Sequence, residues 1–231
     1  MARAPRGYIV EVAKNQSEDW RSHDRITLGI SVGAHYHEGA KFAATMRWVE
    51  QHFQSCAILV CDSLHRYNEP QYYAGDLETA LATSIKNGTE WLERNSIAIT
   101  SASIPCAVTR WEDWRLHPDF HATYEQIARV HADDAGLRDS VDESVQRYLR
   151  HHPAANEDIS RQRAEGSRFY ILEELAGLTL FARQNGTWEA YAGSKIAALD
   201  YLKSTQRNDL PEPLLDIRSI KIHLKEIRLA A

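Results

Sequence analysis

Through the first half of the chain, short apolar runs alternate with longer stretches in which apolar residues recur every three or four positions. Residues 25–31 form a β-prone run, and 39–54 carries Phe42, Met46, Val49 and Phe53 at helical spacing. Residues 56–62 repeat the buried-strand pattern, 75–94 read as a second amphipathic helix, and 97–108 hold a third β-prone stretch around Ile104 and Val108. Strands alternating with helices predict an α/β fold with a mostly parallel central sheet flanked by helices. The middle of the chain changes character: 118–131 and 135–152 are helical and charged, Pro153 breaks them, and a long helix follows over 156–183, interrupted at Gly166. Beyond it, 188–191 reads as a strand, 194–203 as a helix, and 220–225 alternates apolar and basic residues as a half-exposed strand does. Leu210-Pro211-Glu212-Pro213 is the clearest connector, and no internal repeat is visible.

The 231 residues fit one α/β domain, and with 43% hydrophobic and 26% charged residues the composition is globular. Tyr8-Ile9-Val10 is too short an apolar run for a signal peptide or membrane span, so a cytoplasmic protein without membrane contact is expected. Cys56, Cys61 and Cys106 form no C-x-x-C pair and no even disulfide framework, and Cys56 and Cys61 lie in an apolar run that predicts burial. The net charge of −5 supplies no general attraction for nucleic acid; DNA is not expected as a partner, and any polyanion must meet a local patch.

Gly29-Ile30-Ser31-Val32-Gly33 matches G-x-S-x-G, the nucleophile elbow of α/β-hydrolases, but fewer than thirty residues precede it to build an oxyanion loop. A strand-end serine is nevertheless well placed, since ligand sites in parallel sheets form beyond the carboxyl ends of the strands. His35-Tyr36-His37-Glu38 partly imitates a metal-binding H-x-H opening, but the next residues begin a helix. His117 and His121 lack a third ligand, so no metal is expected. His37 and Glu38 remain candidates to shape the pocket near Ser31. Tyr170 and Glu174 lie one helical turn apart on the same face, whereas Glu173 points about 100° away, which allows one acid to face a pocket and the other solvent. The apolar surroundings of Glu174 predict a raised pKa suited to proton transfer. Arg161, Arg163 and Arg168 form a basic cluster before this segment, in a stretch whose acids nearly cancel its charge, and Arg161 and Arg168, two turns apart, could line one ridge that contacts phosphates.

Together these residues resemble the tRNA-dependent cyclodipeptide synthases, whose first strand ends in G-[aliphatic]-S and whose later helix carries Y-x-x-x-E. Here the motifs are Gly29-Ile30-Ser31 and Tyr170-Ile171-Leu172-Glu173-Glu174, followed about twenty residues on by Tyr191. Ala34 stands where one branch of the family has asparagine, and Ala192 where another has proline. The resemblance implies a single Rossmann-like domain over residues 1–231, similar to the catalytic domain of class I tyrosyl- and tryptophanyl-tRNA synthetases. It implies that Ser31 accepts an aminoacyl group from one aminoacyl-tRNA, that a second extends it to a dipeptidyl-enzyme, and that amine attack releases a cyclic dipeptide. Tyr170 and Glu174 would hold the amino group, Glu174 would relay protons, and Tyr191 would position the acyl group. No cofactor is expected, because an aminoacyl ester is already activated. Gly29, Gly33, His37, Glu38, Asp62 and Glu173 are the expected substrate-pocket residues. The acids Glu38, Asp62 and Glu173, with the existence of an arginine-using branch, permit arginine as one substrate. Arg161, Arg163 and Arg168 are the expected contacts to the tRNA acceptor arm. A serine hydrolase and a non-catalytic tRNA-binding module are the competing readings.

Overall fold

The computed structural model describes residues 6–14, 16–193, 196–205 and 209–228. Its strands are β1 (Arg6–Val12), β2 (Arg25–Ile30), β3 (Ser55–Val60), β4 (Cys106–Arg110), β5 (Trp188–Tyr191) and β6 (Arg218–Arg228), in the sheet order β1-β6-β5-β2-β3-β4. All neighbours pair in parallel except β1, which runs antiparallel to β6. The helices are α1 (Gly39–His52), α2 (Pro70–Tyr73), α3 (Leu77–Thr100), α4 (Trp111–Arg115), α5 (Phe120–Asp133), α6 (Ala135–His151), α7 (Glu157–Asn185), α8 (Ala197–Thr205) and α9 (Glu212–Asp216).

Most expected elements are present, with four corrections. The second helix continues to Thr100, so Ile97 is a solvent-facing helical residue rather than part of a β-prone stretch. Gly166 does not interrupt the long helix: it lies inside α7, where the backbone of Tyr67 and the rings of Tyr72 and Tyr73 pack against it. Within the proline-rich connector, Pro211 caps the short α9. Residues 6–12, unassigned by pattern, are an edge strand held by the long β6. Of the helix expected over 194–203, Ser194 and Lys195 lie outside the described residues, and α8 begins at Ala197.

Strand alternation sorts the core into two layers. Ile26, Leu28 and Ile30 of β2 and Cys56, Ile58 and Val60 of β3 pack with Phe42, Met46, Val49 and Trp91 from α1 and α3. Ala57, Leu59 and Cys61 face the other way, toward Trp111, Ile127, Val141 and Leu175 from α4, α5, α6 and α7. On that second face β2 offers Arg25 at its exposed start, then Thr27 and Gly29, with Ser31 directly after it. The sheet therefore leaves space there between its central strand and α7. Asn156 caps α7 by accepting the Ile159 N–H at 2.9 Å, and Gly186 ends it at φ +96°.

Gly177 lies in the buried stretch of α7, with the Trp111 ring directly against it. A Cβ there would fall inside the contact distance of ring atoms that are themselves fully buried. Gly177→Ala is expected to lower stability by about 1–3 kcal/mol through overpacking, read as a lower denaturant midpoint with an unchanged slope.

Candidate active site

Three parallel strands deliver the site residues at their carboxyl ends. Ser31 directly follows β2, Tyr191 ends β5 and Cys61 directly follows β3. The Ser31 and Tyr191 hydroxyls lie 3.0 Å apart, and the Tyr191 hydroxyl lies 3.2 Å from that of Tyr36. Behind the serine, the buried His37 accepts the Ser31 backbone N–H through Nδ1 at 3.0 Å. Burial lowers the pKa of His37 to about 4, so it stays neutral and keeps this lone pair available. Its ring fixes the serine's backbone and does not meet Oγ. The described residues therefore contain no Ser–His dyad of the kind a serine hydrolase uses.

Across the space, α7 contributes Tyr170 and Glu174. A narrow inner pocket of about 40 Å³ is lined by Gly29, Ser31, Glu174, Leu178, Glu189 and Ser219, among others. It opens beside a cleft of about 1000 Å³ whose walls include Ser31, Gly33, Tyr36, His65, Tyr170, Glu174 and Tyr191. Ser31, Glu174, Tyr191 and Ile196 are common to both spaces. Burial, and then the negative charge of Glu189, raise the pKa of Glu174 to about 8. Burial also raises the phenol pKa values of Tyr170 and Tyr191 well above the ordinary range. At neutral pH the site thus holds a mostly protonated carboxyl group among neutral hydroxyls.

The other expected pocket residues divide. Gly29 lines the inner pocket, and a Cβ there would come within 2.6 Å of a Glu189 carboxylate oxygen. Gly33 turns the chain at φ +83° and lines the cleft. The three acids expected to favour a cationic substrate do not line either space. Glu38 pairs with Arg94 at 2.9 Å. Asp62 is fully buried, accepts the Ser63 N–H at 2.8 Å and pairs with Arg110. Glu173 does not face solvent: it is buried and pairs with Arg66, with Tyr67 and the Trp111 indole each donating to it at 2.9 Å. Such acids are enclosed because their charge is compensated within the chain.

The expected tRNA contacts are also held within the chain. Arg161 pairs with Asp158, Arg163 donates to the His152 and Pro153 carbonyls at 3.0 and 3.1 Å, and Arg168 meets Asp142 at 2.8 Å. None lines the cleft; the basic groups that do are His35, His65, Arg147, His151, His152 and Lys221. Sequence reasoning overlooked Glu189, His65 and Ser167. Glu189 was legible by alternation, because it precedes Tyr191 by two positions in a strand and so shares its face.

The cyclodipeptide synthase family model matches residues 10–181. The chain belongs to the cyclodipeptide synthase family. A synthase structure from Fluoribacter dumoffii is 21% identical and superposes with a TM-score of 0.84, covering 96% of this chain and 100% of that one. A Mycobacterium tuberculosis structure described as relating cyclodipeptide synthetases to type I tRNA synthetases is 14% identical, with a TM-score of 0.68 and coverage of 94% and 93%. A synthase from Candidatus Glomeribacter gigasporarum, bound to Phe-tRNAPhe, is 19% identical, with a TM-score of 0.63 and coverage of 86% of each chain. No curated protein matches this synthase. Its fold is thus the Rossmann-like fold of that family, and no helix among the described residues is long and apolar enough to cross a membrane.

The raised pKa of Glu174 sets a stability prediction. Below about pH 4.5 the group is protonated whether the synthase is folded or not. From there to about pH 8 only the unfolded chain releases the proton, so this group makes stability fall with rising pH. Glu174→Gln is expected to leave unfolding unchanged near pH 4.5 and to raise the melting temperature progressively up to about pH 8. Parallel melting curves for both proteins across that range would show the prediction to be wrong.

Proposed function

We propose that this synthase joins two aminoacyl groups from two aminoacyl-tRNAs into a 2,5-diketopiperazine by a ping-pong route through Ser31. The observation that carries the reading is the meeting of the Ser31 hydroxyl, Tyr170 and the protonated Glu174 around one cleft. In the first step Ser31 Oγ attacks the aminoacyl ester; a serine ester forms, the bond to the tRNA ribose breaks, and the ribose oxygen takes a proton. Next, the amine of the aminoacyl-enzyme attacks the second aminoacyl-tRNA, forming an amide and releasing the second tRNA. The new terminal amine then attacks the Ser31 ester, closing the ring and returning the serine hydroxyl. Each amine attack sheds a proton and each leaving oxygen needs one; Glu174, protonated near neutrality with a pKa of about 8, gives its proton to the leaving oxygen and takes the amine's proton in return. Tyr170 and Glu174 hold the reacting amine, and Tyr191, hydrogen-bonded to Ser31, positions the acyl group. Because each ester enters activated, the chemistry draws on positioning and proton transfer.

Arginine is the reading for the first side chain, and Glu189 supports it where Glu38, Asp62 and Glu173 do not. Leu178, Ile196 and Leu199 supply apolar walls for an aliphatic stem, while Glu189 supplies a carboxylate for its head. Cells expressing the wild-type chain are expected to release a diketopiperazine containing arginine, detected by mass spectrometry of the medium. Ser31→Ala should abolish it with the fold intact, and Glu189→Leu should shift the product toward apolar residues. A product unaffected by Ser31→Ala would overturn the route; wild-type products with only apolar residues would overturn arginine.

The acceptor arm is read as lying along Arg161, Arg163 and Arg168, with its terminal nucleotides passing into the cleft. Arg163 supports this placement, since it holds the carbonyl of His152, a cleft residue. Reversing the three arginines to glutamate should weaken tRNA binding at least tenfold and flatten its dependence on salt. Equal affinity and an equal salt slope in a filter-binding titration would remove them from the interface.

A further inference from the structure

Two buried polar atoms in the wall of the large cleft have no hydrogen-bond partner among the described residues: Ser167 Oγ and His65 Nε2. Ser167 is only 6% exposed, so water does not substitute freely for a partner. The His65 ring is held edge-on against Tyr170, with centroids 5.9 Å apart. Its Nδ1 faces the side-chain amide nitrogen of Asn68 at 3.5 Å. An amide nitrogen donates, so this contact assigns Nδ1 as acceptor and leaves the proton on Nε2. Burial lowers the pKa of His65 to about 4, which keeps the ring neutral at working pH. The pair therefore presents one N–H donor and one hydroxyl, both uncharged.

Their place on α7 suggests what they meet. Ser167 and Glu174 are seven residues apart, which puts them on the same helix face about 10 Å apart along the axis. Leu178, one turn beyond Glu174, walls the inner pocket. Along one face of α7 the order is thus Ser167, Tyr170 with Ile171, Glu174, then Leu178. The acid stands between two side-chain spaces: the inner pocket with Glu189, and an outer space with His65 and Ser167. A reaction that joins two amino acids at Glu174 has a second side chain to accommodate on the outer side.

We propose that His65 and Ser167 form the side-chain subsite for the second amino acid, and that this subsite selects a neutral side chain bearing a hydroxyl or carboxamide oxygen. The inference rests on the proposed use of two aminoacyl-tRNAs. A side-chain oxygen would supply the hydrogen-bond partner that both groups lack in the free enzyme, an advantage over an apolar side chain of about tenfold or more. A carboxylate would meet only neutral donors there and lose its hydration. The same oxygen chemistry is offered by the ribose of the tRNA terminus, and the test separates the two sources.

The purified full chain is given a mixture of charged tRNAs, and the cyclic dipeptides are quantified by mass spectrometry, with tRNA affinity measured in parallel. The wild type is expected to place a hydroxyl- or carboxamide-bearing residue at one position. Ser167→Ala and His65→Leu are expected to shift that position at least tenfold toward apolar residues, with the other residue and the tRNA affinity unchanged. His65→Gln, which keeps a donor near Nε2, should shift it less than His65→Leu; this guards against reading a folding defect as lost selectivity. A uniform loss of all products together with weaker tRNA binding would assign the pair to the ribose and overturn the inference. Wild-type products without such an oxygen, or an unchanged product ratio in both variants, would also overturn it. Absence of any cyclic dipeptide from the wild type would instead refute the reaction on which the inference rests.

Discussion

Side chains alternate across a strand, so β2 cannot turn Ser31 toward α7 without also turning Gly29 and Thr27 that way. The opposite face of the same strand carries Ile26, Leu28 and Ile30, all buried. Large apolar residues on both faces would pack the sheet directly against α7, as they do where Leu59 of β3 joins the second core. The small and polar face of β2 holds that layer open and makes room for the inner pocket. The neighbouring strands follow the same phase. Glu189 and Tyr191 on β5, and Ser219 and Lys221 on β6, line the pocket or cleft, while Trp188, Ala190, Ile220 and Ile222 close the other core. A one-residue slip of β5 would put Glu189 into that apolar core and Trp188 into the pocket. Gly29 sharpens the constraint, since the Glu189 carboxylate occupies the space where any other residue would place its Cβ.

Opening this space has an electrostatic consequence. Glu174 is screened from water and sees the charge of Glu189, so it keeps its proton to about pH 8. Holding a carboxyl protonated well above its ordinary range costs the fold on the order of a few kcal/mol at alkaline pH. The offsetting stability comes from elsewhere, notably the buried clusters on both sides of the sheet. The neutral His37 behind Ser31 makes a further demand. Burial lowers its pKa to about 4, so acidification between roughly pH 6.5 and 4 favours the unfolded chain, which takes up the proton first. The two demands oppose each other between about pH 4.5 and 6.5, and above that the Glu174 demand grows alone, while the folded site holds Glu174 protonated and His37 neutral from about pH 4 to 8.

Much of this was legible in the sequence, because it depends on local periodicity. The strand over 25–31, the helix bearing Tyr170 and Glu174, and the raised pKa of Glu174 all follow from patterns within a few turns. What could not be read depends on long-range pairing. The partners of Glu173 come from Arg66, Tyr67 and Trp111, about sixty to a hundred residues away, so its apolar helical surroundings gave no sign that it would be ion-paired. Asp62 likewise finds Arg110 only after β3 and β4 have aligned. The first strand was missed for a related reason: Tyr8-Ile9-Val10 gains its hydrogen bonds from β6, at the far end of the chain. His65 and Ser167 carry no sequence signal, since their importance lies in partners they do not have.

The adjacent glutamates of α7 show two physical solutions to the same problem. Consecutive residues on a helix project about 100° apart, so one step along the chain separates two environments. Glu173 turns toward Arg66 and pairs with its guanidinium, while a phenol and an indole donate hydrogen bonds to it. Glu174 turns toward the inner pocket, where burial and another carboxylate favour the acid form. These solutions are not interchangeable. An arginine of the protein fixed beside Glu174 would favour its ionised form and draw its pKa back down in the free enzyme, before any substrate is bound. Replacing Glu173 by a neutral residue would leave Arg66 as an uncompensated charge in the interior. Directing Arg66 to Glu173 therefore secures the packing of α7 against α4 and the segment after β3, and keeps that cation from setting the protonation of the neighbouring acid. The division between a structural and a chemical carboxyl group thus follows from helix geometry, with a single arginine on one side of it.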